Sequence, residues 1–134
     1  MSMCIVPIVE FLAESGGANL YAAFWPLLPL SRGHVHINSS NPLNNPLIVP
    51  RLLTDRFDEA VSIEIARASR RVFASVPFKD VVADAYFNPP IGPNGTDSDY
   101  LAWYKETAFG ASHWVGATGM MPRQLGGVVD HELR

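Results

Sequence analysis

Apolar and polar residues follow two different spacings along this chain, one typical of a helix and the other typical of strands. In residues 55–74 the apolar positions recur at steps of three and four, which gives a helix one apolar face. We therefore predict a helix over residues 55–74 that packs on a sheet, with Thr54 and Asp55 available as N-caps. Its apolar face consists of Phe57, Val61, Ile65, Ala68 and Val72, and all of these except Ala68 are expected to be buried.

The basic residues of this helix lie near its C-terminus, at Arg67, Arg70 and Arg71. Cations suit that end because the helix dipole places partial negative charge there. We interpret the cluster as a solvated helix end.

The first part of the chain predicts two strands. Residues 5–12 form an apolar run that is typical of a buried strand, and residues 14–17 are expected to turn. Residues 19–28 are rich in aromatic side chains, which favours a second strand. Pro26 and Pro29 limit that strand to a sheet edge or to an irregular geometry.

A hairpin is predicted next. In residues 34–37 Val35 and Ile37 alternate with two histidines, so each pair should occupy its own face of a strand. Residues 38–46 are rich in Asn and Pro and predict a loop. Residues 47–53 are expected to form the partner strand.

A second helix is predicted to begin after residue 96. Thr96 followed by Asp99 has the spacing of a capping box, and Gly110 offers a helix stop. Leu101, Tyr104 and Ala108 are expected to share one face of this helix. Residues 88–97 are expected to form a loop, and residues 81–87 a short strand or a loop. Short strands with two helices predict an α+β fold with a mainly antiparallel sheet backed by helices.

Composition excludes several classes of protein. The chain has 134 residues, a length that suits one domain, and we place no domain boundary within residues 1–134. The formal net charge of −3 argues against a nucleic-acid partner. No apolar run reaches the roughly 18 residues of a membrane span, and the single Cys4 allows no internal disulfide. Residues 1–9 lack the basic start of a signal peptide.

One histidine stands out among the four. His113 lies in residues 112–134, a stretch rich in glycine and apolar residues. An imidazole in such a setting can act as a general base near neutral pH. It can equally be a core histidine with a satisfied hydrogen bond, and the residues alone favour that alternative.

Two further hypotheses concern the other histidines and the aromatic residues. His34 and His36 form an HxH pair that could ligate a metal with His113, but no acidic residue is near, so we expect solvent-facing residues and no metal. A non-catalytic module that binds sugars, or that serves interactions, would use exposed aromatic rings. The candidates are Trp25, Tyr100, Trp103 and Tyr104, although such residues more often pack in a core.

The C-terminal sequence HWVGATGMMPRQLGGVVDHELR resembles the C-terminal end of the glucose-methanol-choline (GMC) flavoprotein oxidoreductases. The shared features are a His with a Gly three residues later, one or two Met, and Gly-Val-Val-Asp leading into Leu-Arg. The MMPRQLGGVVD run is most similar to the glucose oxidase and FAD-dependent glucose dehydrogenase branch. Residues 27–50 resemble the substrate-domain hairpin of the same family, so the resemblance covers residues 9–134. Two positions depart from it, with Ala117 in place of Thr and Trp114 where Pro or Gly is common.

The resemblance implies a substrate-binding domain with an antiparallel sheet, in an enzyme that moves hydride from an alcohol or sugar to FAD. It implies that His113 is the general base, that Trp114 and Val115 pack beside the flavin, and that Trp114 touches substrate. Arg134 falls where related enzymes place an Arg near the flavin.

No GxGxxG occurs in the chain. We therefore expect a fragment of a GMC enzyme without the FAD-binding half, inactive by itself. For the intact enzyme we expect an extracellular location, which agrees with the N-glycosylation sequons at Asn38 and Asn94. A homodimer of the intact enzyme is an open alternative.

Overall fold

The structure is a computed structural model that describes residues 7–16, 19–76, 78–80, 90–113 and 115–134. Within these residues it contains two α-helices and two antiparallel two-stranded sheets, which confirms the predicted α+β class. The chain divides into two compact units. One consists of Met1–Ser31 and Leu52–Ala108, and the other of Arg32–Arg51 and Phe109–Arg134.

The first unit begins with a hairpin of strands β1 (Val9–Gly16) and β2 (Asn19–Pro26). The two strands pair antiparallel from Val9 opposite Pro26 to Gly16 opposite Asn19. The first strand was predicted too early, at residues 5–12, of which residues 5 and 6 lie outside the described part. The predicted turn at residues 14–17 is wrong as far as Gly16, because pairing with β2 keeps that segment extended.

Burial in this hairpin also differs from the expectation. Phe11 and Leu12 of β1 are exposed at 38% and 42%, so the prediction of a buried strand is wrong for these two side chains. The Phe11 ring still lies 6.0 Å from the Phe73 ring of the long helix, measured between centroids. Strand β2 ends at Pro26, two residues before the predicted end at residue 28.

The long helix α1 (Arg56–Phe73) follows the predicted bounds closely. Asp55 is its N-cap, and the Asp55 carboxylate accepts the N–H of Phe57 at 2.8 Å. Acidic residues occupy the first turn and arginines the last, an arrangement that suits the helix dipole.

The buried face of α1 is rotated relative to the prediction. Phe57 and Val72 are exposed at 43% and 40%, so their predicted burial is wrong; Val61 is half-buried, and Ile65 is buried as predicted. The residues that are buried are Asp58, Ser62, Ile63, Ile65, Ala66, Ser69 and Phe73. Small and polar side chains therefore form much of the inner face, where α1 contacts β2 and the second helix.

The second helix α2 (Asp97–Thr107) has the predicted capping box, with Thr96 as N-cap and Asp99 as its partner. It ends at the C-cap Ala108, slightly before the predicted stop at Gly110. Tyr100 of α2 is 3% exposed. It forms the core with Ile63 and Ala66 of α1, and this core is covered by Phe24, Ile91, Leu101 and Trp103.

Ion pairs join the two helices. The Arg67 guanidinium binds Asp97 at 2.6 Å and Glu64 at 3.0 Å, and its carbon lies 5.1 Å from the centre of the Tyr100 ring. The hydrogen bonds that Arg67 donates to Glu64 and, with a smaller effect, to Asp97 raise the pKa of Arg67. Arg67 therefore lies at the helix end as interpreted, and it also binds Asp97 of the second helix. Lys105 binds Glu59 at 2.8 Å.

A buried carboxylate fastens α1 to the preceding chain. The Asp58 side chain is 2% exposed and accepts the backbone N–H groups of Leu30 and Ser31, each at 2.7 Å. The Ser31 hydroxyl oxygen in turn accepts the N–H groups of Thr54 and Asp55 at 3.0 and 3.1 Å. These bonds fix the segment that leads into the helix.

The second unit contains strands β3 (His34–His36) and β4 (Leu47–Val49), paired antiparallel as predicted. Strand β4 is shorter than the predicted residues 47–53, because Arg51 and Leu53 adopt left-handed φ values of 52° and 53° that extended strands exclude.

Hydrogen bonds from Asn and Ser side chains order the loop between β3 and β4, for example Asn44 Nδ2 to Ser39 Oγ at 2.8 Å. The predicted strand or loop at residues 81–87 lies outside the described residues. Within the described part of the chain, no helix has both the length and the apolar character that crossing a membrane requires.

Candidate functional site

The last part of the chain forms a series of tight turns. A short 3₁₀ helix, Arg123–Leu125, ends at Gly126, whose φ of 89° lies in the left-handed region that glycine tolerates best. The chain then returns, so that the N–H of Val128 donates to the carbonyl of Gly119 at 2.9 Å. The sequence MMPRQLGGVVD thus folds back on itself.

A close backbone approach accompanies this return. Met120 and Val129 form a parallel bridge. A Cβ placed on Gly127 would run into the carbonyl of Met121, so the site accepts only a residue without a side chain. In the pair Gly126-Gly127, glycine is therefore favoured at the first position by the positive φ and required at the second by the close packing against Met121.

The returning segment borders an open cleft of about 730 Å³, lined by residues 120–123 and 127–131 and by Arg134. The Asp130 carboxylate shapes its end by accepting the N–H groups of Glu132 and Arg134 at 2.8 and 3.1 Å. The Arg134 guanidinium, which the resemblance implies lies near a flavin, pairs with Glu132.

The cleft lining also contains two polar residues, Arg123 and His131, for which the sequence alone indicated no role. The turns place both residues in the lining of the cleft that also contains Arg134. The one available signal was their position on either side of the glycine pair.

His113, the predicted base, is exposed. The alternative of a core histidine is therefore wrong. The following described residue, Val115, is 94% exposed, so the histidine lies on an open and partly apolar surface, as expected. Trp114, the predicted flavin and substrate contact, lies outside the described residues. The cleft that contains Arg134 is not lined by His113 or Val115, so the structure does not bring these predicted residues into one pocket.

The HxH pair occupies the position that alternation predicted. The rings of His34 and His36 lie on one face of β3, with 4.9 Å between their centroids, and both residues are exposed. Among the described residues, no group of three or more His, Cys, Asp or Glu side chains is arranged to hold a metal ion. The expectation that the pair binds no metal stays a prediction.

The aromatic residues considered for sugar stacking belong largely to the core of the first unit. Tyr100 is buried, and the Trp103 ring lies 6.3 Å from that of Phe24. Burial raises the pKa of the Tyr104 phenol, and the nearby Ser62 hydroxyl offsets this in part. Among the described residues the buried Ser62 Oγ has no partner with hydrogen-bond geometry, so burial is the dominant effect on the pKa of Tyr104. These packed rings do not favour a stacking platform.

Comparison with known proteins gives a consistent result. The chain is 35% identical over 129 residues to the glucose oxidase-like protein fsoC of Humicola fuscoatra, which covers 95% of the chain and 21% of that protein. It is 35% identical to pyranose dehydrogenase 3 of Leucoagaricus meleagris, over 90% of the chain and 20% of that protein. It is 31% identical to the GMC oxidoreductase family protein Mala s 12 of Malassezia sympodialis, over 79% of the chain and 17% of that protein.

The chain thus spans about a fifth of the length of these curated relatives. The family model described as GMC oxidoreductase matches residues 29–134, which include both strands of the β3–β4 hairpin, the two helices and the turns that follow His113. This chain belongs to the GMC oxidoreductase family, of whose C-terminal domain it forms an α+β part.

Proposed function

We propose that this chain supplies the substrate-binding part of an FAD-dependent oxidoreductase that acts on the CH–OH group of a sugar or an alcohol. The observation that carries the proposal is the position of His113, exposed at the start of the stretch that resembles the family's base-containing motif. The names of the relatives, a glucose oxidase-like protein and a pyranose dehydrogenase, support a sugar as the substrate class.

The residues around His113 fit a flat, largely apolar ring system. Val115 offers an exposed apolar side chain, and a Cβ placed on Gly116 would meet nothing within 4 Å, so the backbone there is open to a ligand. We assign Val115 and Trp114 to the flavin face, and Trp114 also to the substrate. Arg134 is assigned to the flavin surroundings, because its side chain is 74% exposed and lines a cleft.

The proposed chemistry of the chain is proton transfer at His113. FAD, when bound, supplies the acceptor for a hydride. His113 takes the hydroxyl proton of the substrate on a ring nitrogen, and the negative charge that grows on the substrate oxygen eases hydride departure from the carbinol carbon. An imidazole suits this task because it gains and loses a proton near neutral pH.

The test is His113→Ala in the full-length, FAD-loaded protein. We expect flavin reduction by sugar to slow by about 10²- to 10⁴-fold, the usual contribution of a general base. Stopped-flow absorbance measures the rate, and the flavin spectrum of the same sample measures FAD content. His36→Ala, another exposed histidine, is the matched control and should keep the wild-type rate. Near wild-type reduction by the His113 variant with FAD still bound would show that another group is the base.

We also place the intact enzyme outside the cell, with no nucleic-acid or membrane partner. Asn38 and Asn94, the two sequon asparagines, are both exposed in loops, as an acceptor for a glycan must be. Peptide mass spectrometry of the protein from its native source would find glycan on at least one of them. Two unmodified asparagines would count against this location.

A further inference from the structure

We propose that Ser112 is a positioning residue for His113, because its left-handed backbone sets the direction in which the imidazole leaves the chain. This inference rests on the proposed role of His113 as the base. It adds a second residue to that role, one whose contribution comes from backbone conformation.

Ser112 has a φ of 60°, in the region that side chains other than glycine rarely adopt. Such conformations cost energy, and they persist when surrounding structure or function requires them. Burial offers no compensation here, since both Ser112 and His113 are exposed. A glycine lies only two residues earlier, at Gly110, but it does not take the positive φ, which falls instead on the residue directly before the histidine.

The other side of the histidine has a matching feature. Gly116 has a φ of 94°, so the short segment that contains His113 is bounded by a left-handed residue at each end. The φ and ψ of Ser112 orient the peptide that enters His113, and hence the Cα–Cβ bond of the histidine. Moving Ser112 to an extended conformation would swing that bond, while Gly116 would still fix the exit of the segment.

Direction matters because a general base works only within hydrogen-bond reach of the proton it removes, about 2.6–3.2 Å between heavy atoms. A misplacement of about 1 Å can slow a reaction by about 10²-fold. Because His113 is exposed, packing restrains its side chain less than it would in a core, and the backbone has a larger share in setting its direction. Ser112 directly precedes His113, so its backbone conformation acts directly on the direction of the imidazole.

The experiment compares substitutions that differ in their tolerance of positive φ, in the full-length FAD-loaded protein. Ser112→Gly and Ser112→Asn allow the left-handed conformation, so their rates of flavin reduction should stay within about 3-fold of the wild-type rate. Ser112→Val, with a branched Cβ, disfavours it and should lower kcat by about 10- to 100-fold with a smaller change in KM. Ala111→Val is the matched control, since Ala111 has no positive φ, and it should keep the wild-type rate.

A double variant separates this inference from the proposed function. In a His113→Ala background, Ser112→Val should cause no further loss, because the residue acts through the histidine. Equal rates for the Val and Gly variants, or a full additional loss in the double variant, would overturn the positioning role while leaving the base intact. If His113→Ala itself is fast, the proposed function fails instead.

A measurement independent of turnover completes the test. In NMR spectra, a strong cross-peak between the amide proton and the Hα of Ser112 reports a positive φ, and it should persist in Ser112→Asn and weaken in Ser112→Ala. If the Val variant does not fold, Ser112→Ala takes its place and should be slower than Ser112→Gly. An Ala variant as fast as Gly, with the positive φ lost, would contradict the proposal.

Discussion

Replacing Asp58 with alanine tests a buried polar contact of the first unit. The Asp58 carboxylate is 2% exposed and uses both oxygens, one for the N–H of Leu30 and one for that of Ser31. Both bonds measure 2.7 Å and connect residues almost thirty positions apart. They therefore hold the chain that follows β2 against the first turn of α1.

The expected loss follows from these two bonds. A hydrogen bond to a charged group contributes about 1.5–3 kcal/mol, and the two bonds together reach about 3–6 kcal/mol. Because the contact is only partly buried, water can reach the freed N–H groups, and the lower end of that range applies. The carboxylate also lies in the first turn of α1, where negative charge adds about 0.3–1 kcal/mol. We expect Asp58→Ala to lower the free energy of unfolding by about 3 kcal/mol, or the Tm by about 10 °C.

Asp58→Asn sharpens the test, since it preserves the size of the side chain. Its single oxygen can accept one of the two N–H groups, but its amide nitrogen must then face the other, donor against donor. We expect the asparagine variant to recover little of the loss. Asp58→Asn close to wild-type stability would show that shape, rather than the two charge-assisted bonds, holds this contact.

Urea unfolding of the chain, followed by far-UV circular dichroism, measures these differences. Glu106→Ala removes an exposed carboxylate from α2 and is the matched control, with an expected change within about 0.5 kcal/mol. The slope of the unfolding free energy against urea should stay constant in all three variants. A loss below about 1 kcal/mol in Asp58→Ala would refute the reasoning.

The remaining predictions concern a helix cap, its titration and a glycine. Thr96→Val should cost about 1 kcal/mol in urea unfolding, because it removes the N-cap of α2, whereas Thr96→Ser should retain most of the cap. Hydrogen bonds from the Thr96 side chain, and then from its backbone, hold the pKa of Asp99 below the ordinary 3.8. The stability that ionised Asp99 contributes is therefore present above pH 3.8 and is lost as the pH falls through the lowered pKa. In Thr96→Val, the free energy of unfolding should depend less steeply on pH below pH ~4. The same steepness as in the wild type would contradict this. Gly127→Ala should destabilise the fold by about 1–3 kcal/mol, because the added Cβ collides with the Met121 carbonyl. Gly92→Ala should be neutral, because a Cβ there meets no atom within 4 Å. Equal Tm values for the two variants would contradict the packing argument.

Local signals explain what the sequence predicted correctly. The bounds of α1 depend on the Asp55 cap and on three-and-four spacing, and those of α2 on the pairing of Thr96 with Asp99. Each of these determinants lies within a few residues of the helix end that it defines. The hairpin of β3 and β4 was predictable for the same reason, since its alternation and its loop are adjacent in sequence.

The errors arise where a distant segment decides the outcome. The rotated face of α1 reflects the amide groups of Leu30 and Ser31, which make Asp58 a buried residue, and no hydropathy pattern contains that information. The extension of β1 through Gly16 likewise depends on its partner strand. In the candidate site, sequence could single out His113 but could not show that Arg134 lines a cleft apart from it.

The division of the chain into two units has a consequence for synthesis and for truncation. Each unit is built from two separate segments, and the polypeptide passes from one unit to the other after residues 31, 51 and 108. During translation the first unit is complete only when residue 108 has left the ribosome. Strands β3 and β4 are synthesised before the other segment of their unit, which contains His113. A protease cut or a deletion after residue 108 would remove no residue of the first unit. The β-hairpin residues 32–51 would then remain as an insertion without its companion half.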